Sequence, residues 1–127
     1  MGRGSKTYSG ASAYCRRKGG KLFEPKNKRE SDKVRALAKS KGVGTCFWIG
    51  INDKARENHF VYESDGKAID WKNWNGVEPS NSRSCIRRRF GWCVQRGDED
   101  CVEAFTSNGE WNDKPCNKML PFVCEIE

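Results

Sequence analysis

The seven cysteines and the single histidine of this chain constrain its fold more than any other feature. Such a cysteine count fits a metal site, a catalytic thiol or a set of disulfides. No two cysteines have the C-x-x-C spacing and His59 is the only histidine, so the short ligand spacings typical of zinc sites are missing. Disulfides formed in an oxidising compartment are the better explanation, and they predict a secreted, extracellular protein.

Length and charge set further bounds. The 127 residues suit one domain with a modest core, and residues 1–127 are predicted to form it, with MGRGSK (1–6) as an added or disordered start on a mature chain. The net charge of +7 makes acidic partners plausible. Five Trp, six Phe and three Tyr are too many for a disordered chain. No run of about 18 apolar residues is present, so no membrane-spanning segment is expected.

Two helices are predicted in the first third of the chain. The segment SGASAYCRRKGG (9–20) offers Ser9 as a capping residue, followed by residues that favour or tolerate a helix and by a glycine pair. The segment NKRESDKVRALAKSKG (27–42) has Asn27 and Glu30 at capping-box spacing and ends in glycine.

Short strands follow the helices. They are predicted at CFWIGI (46–51), HFVYE (59–63), CVEAF (101–105), EWN (110–112) and PFVCEI (121–126). Between the second and third of them, from Asp65 to about Asp98, the chain is mostly Gly, Asn, Ser, Pro and Arg. A stretch of that length without regular structure is unusual in a compact domain and is usually functional. Helices first, then short strands around one long loop, predict the α+β class.

With these elements in place, the sequence resembles a C-type lectin domain. The matching residues span 14 to 125 in the family's order: Tyr14–Cys15, Phe47–Gly50, Glu78–Ser80, Glu99–Cys101, Trp111–Asp113, Cys116 and Pro121–Glu125. Each motif is weak alone, and together they are highly specific. The resemblance implies the C-type lectin fold, with two helices and short antiparallel strands around a long calcium-binding loop.

The resemblance also implies two disulfides, Cys15–Cys124 and Cys101–Cys116. Cys85 and Cys93 flank a short arginine-rich insertion and are predicted to pair with each other. Cys46 is then left over. An odd cysteine in a secreted protein suggests an interchain bridge, here a disulfide-linked homodimer, although a buried free thiol is the alternative.

Calcium ligands are implied at the family's loop positions. A principal ion would be held by Glu78, Ser80, Glu99, Asn112 and Asp113. A second ion would use Asp53, Glu57, Asn81, Glu99 and Asp100. Calcium takes six to eight oxygens, so the first set leaves room for two sugar hydroxyls. Any one of these acidic residues is more often just solvated, and the prediction rests on their joint spacing. The tryptophans Trp48, Trp71, Trp74 and Trp111 are expected mainly in the core.

Sugar choice depends on the motif Glu78–Pro79–Ser80. In the family, Glu-Pro-Asn favours mannose-type sugars and Gln-Pro-Asp favours galactose-type sugars. Ser80 matches neither motif, because its hydroxyl donates one hydrogen bond and lacks the second donor and the reach of an amide. Trp92 in the inserted loop could stack on galactose, a device that the family's galactose binders use, or could simply pack that loop. The resemblance extends to the galactose-type lectins of invertebrates. Galactose is the preferred prediction. The sugar-contacting set is therefore Glu78, Ser80, Glu99, Asn112, Asp113 and Trp92.

The inserted loop is strongly basic. Arginines pair with sulfate, phosphate or carboxylate groups in a bidentate manner, which predicts contacts to acidic glycans, unless the loop is merely solvated. The arginines are Arg83, Arg87, Arg88, Arg89 and Arg96. The leading hypothesis is thus a secreted calcium-dependent lectin. The alternative is a related domain that binds a protein, mineral or polyanionic surface without specific sugar readout. An enzyme is not expected with one histidine and paired thiols, and neither is nucleic-acid binding or membrane insertion.

Overall fold

A computed structural model describes residues 4–55, 59–74 and 101–126, together with the backbone of 85–89 and 92–96. Predicted features on other residues lie outside this description. The elements follow the order α1, β1, α2 and then β2 to β8. The predicted α+β class is confirmed, with both helices preceding most of the strands.

The first helix, α1, is Tyr8–Arg17, and its cap differs from the prediction. Thr7, with an extended backbone, accepts a hydrogen bond from the backbone N–H of Gly10 through Oγ1 at 3.3 Å. The predicted cap Ser9 lies inside the first turn. A threonine two residues earlier already supplies the hydroxyl and the extended geometry that a cap requires, so the helix begins sooner.

The second helix, α2, is Lys28–Ser40, and its cap is Asn27 as predicted. Asn27 Oδ1 accepts from the backbone N–H of Glu30 at 2.9 Å. The Glu30 carboxylate reaches back to the N–H of Lys26 at 3.1 Å rather than to Asn27, so the capping box is shifted by one residue.

Eight strands form in the described part of the chain. They are β1 (Gly20–Leu22), β2 (Cys46–Asn52), β3 (Val61–Tyr62), β4 (Cys85–Arg89), β5 (Trp92–Arg96), β6 (Cys101–Phe105), β7 (Trp111–Lys114) and β8 (Cys124–Ile126). The central sheet has the order β3-β2-β6-β7 and is antiparallel throughout. β1 pairs with β8, and β4 pairs with β5, each as a separate two-stranded sheet.

The core lies on both faces of β2. Phe47, Ile49 and Ile51 join Val102 and Trp111 in one buried cluster. Trp48 points the other way and joins a second cluster with α1, in which Tyr8, Ala11 and Cys15 are fully buried. Because alternate side chains of a strand face opposite sides, a run of apolar residues such as FWIGI is what a strand covered on both faces requires.

The two disulfides implied by the resemblance are present. Cys15–Cys124 ties α1 to β8 across 109 residues, and Cys101–Cys116 ties β6 to the segment after β7. The first bridge lies beside the β1–β8 ladder, in which Gly20 faces Ile126. A side chain at Gly20 would overlap the carbonyl oxygen of Glu125, so glycine is required for this close approach.

The prediction of a long segment without regular structure was wrong in part. β4 and β5 form an antiparallel ladder inside it, with Arg88 opposite Cys93 in the register. β-Branched and aromatic residues such as Ile86, Trp92 and Val94 favour strands, and the arginine content masked that signal. β3 is also shorter than the predicted HFVYE, and β1 was not predicted at all, because three residues carry too little pattern.

Candidate functional site

One end of the central sheet brings together residues from three strands. Asn52 at the end of β2 faces Cys101 at the start of β6, and Cys101 faces Lys114 at the end of β7. Asp53 therefore leaves the sheet at the same end at which Asp113 lies. The predicted ligands 99 and 100 directly precede Cys101 in the chain. The topology thus places Asp53 and Asp113 at the same end of the sheet.

Two of the predicted acidic ligands lie within the described residues, and both are buried. Asp53 is 1% exposed and Asp113 is 2% exposed. Carboxylates removed from water to this extent need hydrogen bonds or positive charge close by. Asp113 faces Val102 in the β6–β7 register and so belongs to the opposite face of the sheet from its neighbour Asn112.

Asn112 is held by a residue that the sequence did not single out. Its Nδ2 donates to Glu103 Oε2 at 2.8 Å, across the register pair Glu103–Asn112. Glu103 is 1% exposed, and Lys114 Nζ lies 3.6 Å from the same carboxylate oxygen. Because the amide nitrogen of Asn112 donates a hydrogen bond to Glu103, the amide oxygen of Asn112 points away from Glu103.

A sequence signal for Glu103 was available. In CVEAF, Val102 and Ala104 face the first core cluster, and a charged residue stands between them in the middle of a strand. Charged residues are almost never fully buried unless they are paired. A glutamate at such a position therefore indicates a specific polar partner on the neighbouring strand.

The start of the long loop is anchored next to the same strand. Trp74 forms a backbone bridge with Trp111, and the carbonyl of Asn73 accepts from the N–H of Trp111 at 2.8 Å. The rings of Trp71 and Trp74 pack edge-on against Trp111 at centroid distances of 5.5 and 5.3 Å. The long loop therefore starts from Trp74, which is anchored on Trp111, the residue directly before Asn112. Trp48 and Trp111 are fully buried in the core as predicted, whereas Trp71 and Trp74 are only partly buried and pack against it.

Several predicted site residues lie outside the described part of the chain, namely Glu57, Glu78, Ser80, Asn81, Arg83, Glu99 and Asp100. Arg87, Arg88 and Arg89 are placed on the backbone of β4, and Trp92 and Arg96 on β5. The side chains of these five, and of Cys85 and Cys93, also lie outside the description. Their roles, including the Cys85–Cys93 bridge, stay predictions.

Cys46 begins β2 and is a half-buried free thiol. Burial, and then the nearby Glu103 carboxylate, raises the pKa of this thiol to about 11. The thiol is therefore neutral near pH 7, and its position beside Glu103 places it on the Asn112 side of the sheet.

The chemical groups of the described candidate ligands are of the type that binds calcium. Asp53 and Asp113 offer carboxylate oxygens and Asn112 offers an amide oxygen, the hard ligands that calcium prefers. Within residues 4–55, 59–74 and 101–126, no three His, Cys, Asp or Glu side chains form a metal-binding group by themselves. A complete coordination sphere would therefore need ligands from the long loop.

The chain has two helices, a central antiparallel sheet and a disulfide that joins the first helix to the last strand. These features define the class of small disulfide-braced α+β binding domains. Residues 4–126 match the family model described as the Lectin C-type domain. The chain therefore belongs to the C-type lectin family, a non-enzymatic binding fold that is generally calcium-dependent.

Individual relatives agree with this assignment. The chain is 35% identical over 121 residues to collectin-10 of Gallus gallus, covering 95% of this chain and 38% of the relative. It is 34% identical over 125 residues to a tetranectin-like protein of Carcharhinus perezii, covering 97% and 66%. The mouse scavenger receptor C-type lectin carbohydrate-recognition domain superposes with a TM-score of 0.75 at 27% identity, covering 97% and 85%. The chain thus spans well under half of the collectin and about two thirds of the tetranectin-like protein. Within the described residues, no helix is long and apolar enough to cross a membrane.

Proposed function

We propose that this chain is a secreted carbohydrate-recognition domain that binds sugars through calcium held at the end of the central sheet. The observation that carries the proposal is the arrangement of Asn112. Its amide nitrogen is bonded to Glu103, which leaves its oxygen to act as a ligand at the end of the sheet at which Asp113 also lies.

Three further observations support the proposal. Asp53 leaves the sheet at the same end, where an auxiliary ion would need it. The loop that contains Glu78 and Ser80 starts from an anchor on Trp111. The structural relative named above is itself described as a carbohydrate-recognition domain.

Each protein group has a definite role in this proposal. The principal ion would be held by Asn112 and Asp113 with Glu78, Ser80 and Glu99, and the auxiliary ion by Asp53 with Glu57, Asn81, Glu99 and Asp100. When bound, calcium supplies coordination positions for two neighbouring sugar hydroxyls. The carboxylate ligands would accept hydrogen bonds from these hydroxyls. The Asn112 amide has two N–H groups, and the one not given to Glu103 can donate to the sugar.

We further propose that the sugar is of galactose type, with Trp92 stacking on its apolar face. β5 carries Trp92 next to β4 in a two-stranded ladder, which offers a firmer support for an aromatic platform than an irregular loop. The arginines on the same ladder would extend binding to acidic substituents.

Secretion is supported by the two disulfides, which persist in oxidising compartments. A homodimer through Cys46 remains part of the proposal, because a second binding site on one body would raise the avidity of a weak lectin.

Elution from immobilised galactose and mannose tests the proposal directly. We expect EDTA to release the protein while a salt step leaves it bound, and galactose to retain it longer than mannose. A glycan array with and without calcium then defines the ligand. Release by salt alone, with EDTA ineffective, would favour the alternative of a polyanion-binding domain without sugar readout.

A further inference from the structure

The positive charge of this chain is concentrated away from the predicted sugar loop. The first 45 residues hold 13 Lys or Arg against three Asp or Glu, a net charge of +10, whereas the whole chain carries +7. Residues 46–127 therefore carry −3, even though they include all five loop arginines. Most of the basic character belongs to the part of the chain that contains α1 and α2.

At the end of α1, three cations surround one aromatic ring. Lys6 Nζ, Lys18 Nζ and Arg17 Cζ lie 5.7, 5.5 and 6.0 Å from the centroid of Tyr14. The ring is itself fixed edge-on against Phe122 at 5.3 Å. The three positive groups therefore lie within about 12 Å of one another, where like charges repel and an anion would be attracted.

These cations are not committed to carboxylates. Arg17 and Lys18 are exposed, and none of the three forms an ion pair with a described acidic group. Lys6 is held in position by its backbone, which exchanges two hydrogen bonds with Leu120 at 2.9 and 3.0 Å. The cluster is thus positioned by the fold and still available to a ligand.

A groove is lined by residues that directly neighbour this cluster in the sequence. It has a volume of about 290 Å³, close to the lower end of the range for ligand pockets. Its lining consists of Ser12, Arg16, Gly19, Gly20, Lys21, Glu63 and Ser64. Lys21 Nζ lies 3.7 Å from Glu24 Oε1, and the groove carboxylate of Glu63 accepts from Asn52 Nδ2 at 3.0 Å. Arg16, hydroxyl groups and bare glycine backbone complete a polar wall.

We propose that this basic end of α1, defined by Lys6, Arg16, Arg17 and Lys18, is a second glycan site that binds a sulfated polysaccharide without calcium. Arginine and lysine match the repeated sulfate groups of such a chain. A linear polyanion can follow consecutive cations and place one sugar unit in the groove, whereas a flat bilayer would leave the groove empty.

A simpler role for some of these charges is stabilisation of the helix. Arg16 and Arg17 lie in the last turn of α1, where the helix dipole favours cations. That role predicts lower stability on their removal but no loss of polyanion binding. The two roles are therefore separable by experiment.

The test compares two triple variants of the full chain with equal charge change. The first, Lys6→Gln/Arg17→Gln/Lys18→Gln, removes the cluster. The control, Lys33→Gln/Lys39→Gln/Lys41→Gln, removes three exposed cations, of which Lys33 and Lys39 lie on α2 and Lys41 directly follows it. Titration calorimetry with a heparin oligosaccharide in EDTA, at about 0.15 M salt, measures binding independently of the calcium site. We expect the cluster variant to bind about tenfold more weakly and the control less than about twofold.

Three outcomes would overturn the proposal. Equal losses in both triple variants would mean that only net charge matters. Unchanged heparin binding with a lower urea midpoint in the cluster variant would leave the cations a role in helix stability alone. Tighter cluster-dependent binding to duplex DNA or to phosphatidylserine vesicles than to heparin would exclude a sulfated polysaccharide as the intended ligand. Because EDTA is present throughout, failure here leaves the calcium-dependent function untouched.

Discussion

The carboxylate of Glu103 accepts the side-chain amide of Asn112 at 2.8 Å across neighbouring strands of the central sheet. Glu103 is almost completely buried and also lies 3.6 Å from Lys114 Nζ. A buried acceptor with this geometry orients an amide so that the oxygen, and not the nitrogen, is presented to a cation. Glu103 is therefore a positioning residue for the proposed site, not a ligand in it.

Replacing Glu103 should weaken calcium binding without touching a ligand. We expect Glu103→Met to lower calcium affinity by about 10-fold or more, as is common when a partner of a metal ligand is removed. The isosteric Glu103→Gln keeps an acceptor oxygen and should lose much less. In calcium-free protein, NMR should show faster exchange of the Asn112 side-chain amide protons in the Met variant only. Identical calcium affinity in all three proteins would show that Glu103 does not position Asn112.

Asp113 should be essential for sugar binding and dispensable for folding. Asp113→Asn keeps the size of the side chain but removes one of the charges on which calcium affinity depends, so we expect at least about tenfold weaker calcium binding. Retention on galactose resin should be lost, while the urea unfolding free energy changes by no more than about 1 kcal/mol. Asp65→Asn, at an exposed turn, is the matched control. Normal retention of the Asp113 variant would remove this residue from the site.

The loop arginines should select acidic glycans. Replacing Arg87, Arg88 and Arg89 with Ser should reduce binding of sulfated or sialylated galactosides more than of neutral galactose, in the presence of calcium. The difference should shrink as salt rises, since exposed charges are screened beyond about 8 Å at physiological ionic strength. The Lys33/Lys39/Lys41 variant again controls for net charge. Equal losses for neutral and acidic ligands would mean that the arginines only shape the loop.

In the reduced, monomeric protein the Cys46 thiol should react slowly while the chain is folded. Its pKa is raised to about 11, first by burial and then by Glu103, so the reactive thiolate is scarce at pH 8. We expect slow labelling by an aromatic disulfide reagent at pH 8, faster labelling as the pH approaches 11, and rapid labelling in urea. Since the pKa is raised on folding, the contribution of the protonated thiol to stability is complete below about pH 9 and is lost as the pH rises through 11.

The proposed homodimer is tested with the same residue. If Cys46 forms an interchain disulfide, the protein should run at twice 14.5 kDa on a non-reducing gel and as a monomer with reductant. Cys46→Ser should remove the dimer band. A monomer under both conditions, with one thiol that this substitution removes, would establish the buried free cysteine instead.

The two disulfides should differ in their contribution to stability. The bridge Cys15–Cys124 closes 109 residues and Cys101–Cys116 closes 15. Because the entropy removed from the unfolded chain grows with loop length, we expect the paired Cys→Ala variants to lose about 4.7 and about 3 kcal/mol, respectively. Urea unfolding of the two variants measures the order. A larger loss from the shorter loop would contradict a mainly entropic contribution.

Sequence alone was sufficient for those elements whose cause is local or strongly patterned. The cap at Asn27 follows from a side chain and an N–H three residues apart, and the buried run at FWIGI follows from the alternation of a strand. The pairing of Cys15 with Cys124 and of Cys101 with Cys116 came from family motifs in a fixed order.

Only the tertiary structure could reveal contacts between residues that are distant in sequence or weakly patterned. The strand β1 is three residues long and exists because β8 lies next to it. The partnership of Glu103 with Asn112 depends on the β6–β7 register, and a shift of one residue would send Glu103 to the opposite face. The convergence of Lys6, Arg17 and Lys18 on Tyr14 likewise depends on the docking of residue 6 against Leu120. The amino-acid sequence determined which chemical groups are available. Strand register and helix docking decided which of these groups come into contact. Register and docking depend on packing between segments that are far apart in the sequence, so only the tertiary structure could reveal them.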